Sequence, residues 1–221
     1  MLSLLAVARE RGFAGPAAPE AQIERSLAFT HCTPPPARAL DLGSGAGLPG
    51  LVLALAWPCS RWYLLDCSQK KAAWLQEAVL ALGLQQRCEV VQGRAEVMAR
   101  SPLRGSCQLV TARGFGPAAA TAECAAAFLT TGGALLVAEP PLPPTRASAL
   151  TQASGPTQSG ERGHAARWPT AGLAQLGMRL ETTTVVGTGA GPVTLSLLSA
   201  YEPCPERYPR RVGVPFKRPL F

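Results

Sequence analysis

The chain has 221 residues, 47% hydrophobic and 16% charged, with 22 glycines and 21 prolines. That length and apolar content suit one sizeable α/β core, or one domain with short extensions, and a second full domain is not expected. The formal charge of +7 comes almost wholly from arginine, the only lysines being Lys70, Lys71 and Lys217. The planar guanidinium fork suits phosphate and nucleobase contacts, so an anionic partner is expected.

The N-terminal MLSLLAVA is apolar but too short for a bilayer span, has no basic segment before it and runs into RERG. Neither a signal peptide nor a membrane anchor is expected, and the location read from it is cytoplasmic. Residues 1–36 read as a short helical extension. From residue 37 strand and helix patterns alternate. RALDLG (38–43) is a short apolar strand stopped by glycine, and LVLALAW, after Pro49 and Gly50, is a buried helix ended by Pro58. RWYLLD (61–66) is a second strand. Ser68 then caps a helix whose Leu75, Val79 and Leu82 share one face and which stops at Gly83. CEVVQG (88–93) and CQLVTAR (107–113) follow as strands, AAATAECAAAFL (118–129) as a helix and GGALLVAE (132–139) as a fifth strand.

Residues 140–170 are rich in Pro, Ser, Gly and Thr and read as a long surface loop. Beyond them MRLETTTVVG and VTLSLLSAYE flank a TGAGP turn at hairpin spacing. The expectation is an α/β, doubly wound, Rossmann-like sheet of seven strands, mostly parallel and ending in an antiparallel hairpin. It occupies 37–202, binds its ligand at the carboxyl ends of the strands, and is followed by a basic tail over 203–221.

ALDLGSGAGLPG carries glycines at 43, 45, 47 and 50, which include the G-x-G-x-x-G spacing. Such glycines permit a sharp strand-to-helix turn, let a ligand approach the backbone and leave helix N-terminal N–H groups free. The chain's two aspartates, Asp41 and Asp66, end the first two strands. A carboxylate at the tip of the second strand accepts ribose hydroxyls, so Asp66 is the expected ribose ligand, with a helix-capping role as the alternative. A dinucleotide and S-adenosylmethionine (SAM) both suit such a site. Asp41 favours SAM, because its carboxylate attracts an ammonium and repels a pyrophosphate; Gly43, Gly45 and Gly47 would then hold the methionine end.

Taken together, DLGSGAGLPGLVLAL, LLDCSQKKAAWLQEAVLALGL, VVQGRAE, TARGF and RYPRRVGVPFKRPL resemble the bacterial small-subunit rRNA guanine-N7 methyltransferase family, also called glucose-inhibited division protein B. The resemblance covers roughly 37–139 and the last fifteen residues, and implies a class I methyltransferase fold. It also implies cofactor contacts at Gly43, Leu48, Ala95, Glu96 and Arg113. Two departures stand out. Only about forty residues precede the glycine turn, fewer than is common in the family, and Glu139 stands where the family tends to carry a lysine. The second departure reverses a charge expected to face the substrate.

Guanine N7 has an exposed in-plane lone pair and no proton to lose, so its methylation requires alignment and no general base. That agrees with His31 and His164 lying outside every motif, where surface or capping roles are expected. Arg113, at the end of the fourth strand, is the candidate catalytic residue, orienting cofactor or guanine; the alternative is an ion pair with Glu96. Phe115 is a candidate for stacking on a base or for the core. The seven cysteines form no C-x-x-C pair and read as buried reduced thiols, with no metal site expected. The tail from Arg207 to Phe221 holds Arg207, Arg210, Arg211, Lys217 and Arg218 with no acid, interleaved with Tyr208, Phe216 and prolines. It reads as a fixed basic strip for RNA phosphates.

The reading is therefore a SAM-dependent enzyme, monomeric and without membrane association, methylating guanine N7 in ribosomal RNA or the small ribosomal subunit. Kept open are a same-fold methyltransferase on another RNA or a small molecule, a non-catalytic RNA-binding assembly protein, and an NAD-linked oxidoreductase. The last is disfavoured by Asp41 and by the absence of a catalytic His or Tyr in the motifs.

Overall fold

The computed structural model describes residues 1–141, 163, 164 and 166–221. The loop expected over 140–170 lies for the most part outside them. Two helices, α1 (Leu2–Glu10) and α2 (Pro19–Leu27), precede the sheet. The alternating body runs β1 (Arg38–Leu42), α3 (Gly50–Ala56), β2 (Arg61–Asp66), α4 (Gln69–Ala81), β3 (Cys88–Gln92), α5 (Ala95–Met98), β4 (Cys107–Arg113), α6 (Ala118–Ala126) and β5 (Leu129–Ala138). It closes with α7 (Thr170–Ala174), the hairpin β6 (Met178–Val186) and β7 (Val193–Ala200), and the short α8 (Val214–Lys217).

The seven strands form one sheet in the order β3-β2-β1-β4-β5-β7-β6. Strands β1 to β5 pair in parallel, while β7 inserts antiparallel between β5 and β6, as expected from the hairpin spacing. The order reverses direction between β1 and β4, so a crevice opens there beyond the carboxyl ends of the strands.

Helices cover both faces, which is why β1 and β2 are apolar along nearly their whole length. Strand alternation divides the core: Leu40, Leu42, Tyr63 and Leu65 point into one layer, and Ala39, Trp62 and Leu64 into the other. The first layer is completed by Phe128, Trp168, Leu173 and Tyr208. Tail and α7 therefore belong to the packed body. On the other side Ala8 of α1 joins the second layer, while Leu5 packs with Leu48 and Val52.

Two expectations about single residues change. Cys88, Cys107 and Cys124 are buried as expected, but Cys59 and Cys67 are exposed, because each sits just past a helix or strand end. His164 is buried, not superficial; it lies against Glu139. No helix among the described residues is long and apolar enough to cross a membrane.

Candidate active site

The glycine turn joins β1 to α3, and Asp41 organises it from below. Its carboxylate is buried, with Oδ1 accepting from the Thr111 hydroxyl at 2.8 Å and Oδ2 from the Gly50 amide at 3.1 Å. Asp41 and Thr111 are register partners on β1 and β4, which brings their side chains to the same face. A Cβ on Gly50 would lie 2.7 Å from Asp41 Oδ2, so glycine is required there by close approach. Burial pushes the Asp41 carboxyl up to about 6, against the Thr111 and Gly50 hydrogen bonds and the Arg113 charge that lower it. The carboxylate thus sits beneath the turn with protein groups as its direct partners, and it is not on the walls of the two cavities described below.

Asp66, at the end of β2, ties two segments together. Its Oδ2 accepts from the Gly45 amide at 2.9 Å and its Oδ1 from the Ser68 amide at 2.8 Å, beside the N-cap of α4. Each oxygen keeps a further lone pair. Those lone pairs belong to a residue lining a cavity of about 210 Å³, whose wall also includes Gly43, Ala95, Glu96, Phe115 and Phe216. Gly43 adopts a φ of +73°, and the Phe115 ring sits where its Cβ would be, 2.7 Å away. Gly45, Gly47 and Leu48 are not on this wall. The Gly45 amide is committed to Asp66, and Leu48 turns away to pack with Leu5 and Val52.

A second cavity, of about 300 Å³, lies beyond the ends of β4 and β5. It shares Gly114 and Phe115 with the first and is walled by Arg113, Thr121, Arg167 and Trp168 among others. Arg113 makes no ion pair with Glu96. Its guanidinium donates to Ser26 Oγ at 3.3 Å and to Gln22 Oε1, both on α2. Burial and the nearby Arg25 charge lower its pKa, and Asp41 raises it. Helix α2 therefore fixes Arg113 along the edge of this second cavity.

Glu139 lines this second cavity, but its carboxylate is paired within the protein. Its side chain is fully buried: Oε1 accepts from the Trp168 indole at 2.6 Å, and Oε2 lies 3.1 Å from the Arg167 guanidinium. The group presented beside the cavity is the partly exposed Arg167. The sequence had no signal for this pairing, since Arg167 and Trp168 fall within the 140–170 stretch that reads as a surface loop.

The tail divides into anchors and free cations. Arg210 donates from Nε and Nη2 to the buried carboxylate of Glu123 on α6, at 2.9 and 2.6 Å, and its amide donates to the same side chain at 2.7 Å. The guanidinium of Arg210, expected to meet RNA, is thus engaged with Glu123 within the protein. Arg207, Arg211, Lys217 and Arg218 remain exposed. Glu96, buried at the start of α5, accepts from the Gly213 amide at 2.9 Å. The tail thus reaches the first cavity, a connection visible in sequence only as a dense Pro-Gly-aromatic motif.

A doubly wound sheet with a β6–β7 hairpin and two cavities meeting over its switch point is the class I methyltransferase fold. Structures of that fold superpose on it: cofactor-bound Rv0187 from MTB at a TM-score of 0.58 and 18% identity, covering 90% of this chain and 88% of that one. The SAM complex of the O-methyltransferase TomG from Streptomyces achromogenes gives a TM-score of 0.57 at 19% identity, covering 91% and 89%. The particular family follows from sequence. The family model for rRNA small subunit methyltransferase G matches residues 20–140. Ribosomal RNA small subunit methyltransferase G of Moorella thermoacetica is 34% identical over 85% of this chain and 71% of its own. The Prochlorococcus marinus (strain NATL2A) protein of that name is 31% identical over 82% of this chain. The chain belongs to this family, and spans 66% of the length of the Prochlorococcus relative.

Proposed function

We propose that the chain transfers a methyl group from SAM to N7 of a guanine in small-subunit ribosomal RNA. The observation carrying this reading is the pair of cavities that meet at Gly114 and Phe115, one on the nucleoside side of the switch point and one beyond β4 and β5. Family membership supplies the substrate class.

The residues fit an adenosyl sulfonium cofactor. Gly43 leaves the turn without a Cβ, Asp66 offers lone pairs to ribose hydroxyls, and Ala95–Glu96 line the far wall for the adenine. When bound, SAM supplies an electrophilic methyl on sulfur. Displacement at that carbon by the N7 lone pair would form the N–C bond as the S–C bond breaks, giving a cationic methylguanine and a neutral thioether, so the chain would need to supply no base. Its task is alignment of donor and acceptor across Gly114–Phe115. Arg113, held by α2, sets the charge at the acceptor side, and Arg207, Arg211, Lys217 and Arg218 meet RNA phosphates.

The test incubates the protein with methyl-labelled SAM and small ribosomal subunits lacking guanine-N7 methylation, then maps label by N7-specific strand scission. One labelled guanine is the expected result. Tight SAM binding with no transfer to these particles would overturn the substrate assignment.

A further inference from the structure

Phe216 is 40% exposed, yet it is not loose. It packs on Phe115 with centroids 5.6 Å apart and rings tilted by 57°, and Gly116 leaves room for it, since a Cβ there would lie 2.6 Å from the ring. The segment carrying it is fixed by the Gly213–Glu96 hydrogen bond, by Arg210 on Glu123, and by buried Pro215. Three anchors thus hold a large apolar ring in a partly wetted position, which costs hydration free energy unless something covers it.

Its place in the site says what does. Phe216 lines the cavity that contains Asp66, Ala95 and Glu96, and is not on the wall of the second cavity beyond β5. We propose that Phe216 is a cofactor-binding residue whose ring covers the adenosyl group, making the C-terminal segment Arg210–Lys217 a wall of the cofactor site. This rests on the SAM reading above and adds the tail to it. An adenine has two apolar π-faces and suits an aromatic ring held in place beforehand.

The experiment titrates S-adenosylhomocysteine into the full chain and its Phe216→Ala, Phe216→Leu and Phe216→Trp variants by calorimetry, with melting of each protein alone as a control. The expected result is about tenfold weaker binding in Phe216→Ala, on the scale of one lost base–aromatic stack. Phe216→Leu should lose affinity in the same direction, whereas Phe216→Trp should stay near the wild type. Should Phe216→Ala melt early, the Leu and Trp variants carry the comparison. The assignment is overturned if Phe216→Leu binds as tightly as the wild type, or if the variants lose RNA affinity alone, which would make the ring an RNA contact. Wild-type protein that fails to bind S-adenosylhomocysteine would overturn the methyltransferase reading itself; wild-type binding with indifferent variants overturns only the role of Phe216.

Discussion

Arg210 grips the buried carboxylate of Glu123 through two guanidinium nitrogens and its own backbone amide, across 87 residues of sequence. A basic residue in a basic tail is here a structural anchor. Arg210→Ala leaves Glu123 buried and unpaired, and should lower the unfolding free energy by about 3 kcal/mol in urea denaturation. Glu123→Gln combined with Arg210→Met removes both charges and keeps an acceptor for the residue 210 amide. That double variant should recover more than half of the loss; a double variant as unstable as the single one would show that the ion pair is not what Arg210 contributes.

The exposed cations should behave oppositely. Replacing Arg211, Lys217 and Arg218 by alanine should change unfolding free energy by less than about 0.5 kcal/mol, as at other solvated positions. RNA affinity should fall, and the slope of log affinity against log salt should decrease by about one for each phosphate contact removed. Filter binding at several salt concentrations reads both. An unchanged slope would place the RNA elsewhere.

Asp41 predicts a pH dependence of stability with a definite sign. Burial raises its folded pKa from 3.8 to about 6, so between those values the folded state binds the extra proton and the unfolded state does not. Its contribution is therefore full below the unfolded value and is lost as pH rises through about 6. Relative to Asp41→Asn, the wild type should lose about 3 kcal/mol of unfolding free energy between pH 4 and pH 7. Urea titrations of both proteins at four pH values check it, and a flat difference would mean that the Thr111 and Gly50 hydrogen bonds outweigh burial.

Glu139→Lys places a cation against Arg167 and His164 and leaves the Trp168 N–H without its acceptor. The expected cost is about 3 kcal/mol or more, read as a lowered urea midpoint. Glu139→Gln keeps an acceptor for the indole and should cost clearly less. Equal losses would make the charge at this position irrelevant.

The sequence by itself determined the alternation of β1 to β5 with their helices, the closing hairpin, the glycine turn and the position of Asp66. These depend on local quantities: hydrophobic period, glycine and proline placement, and caps a few residues from what they cap. It also marked Gly43, Ala95 and Glu96, which the fold brings to one cavity with Asp66. Only the tertiary structure decided which charges are free. Arg113 turns to Gln22 and Ser26, Glu139 to Trp168 and Arg167, Arg210 to Glu123, and the Gly213 amide reaches Glu96 across 117 residues. A charged letter states that a group must be solvated or paired; which of the two it is depends on what packs beside it, and those partners come from distant elements that meet only when the sheet is wound.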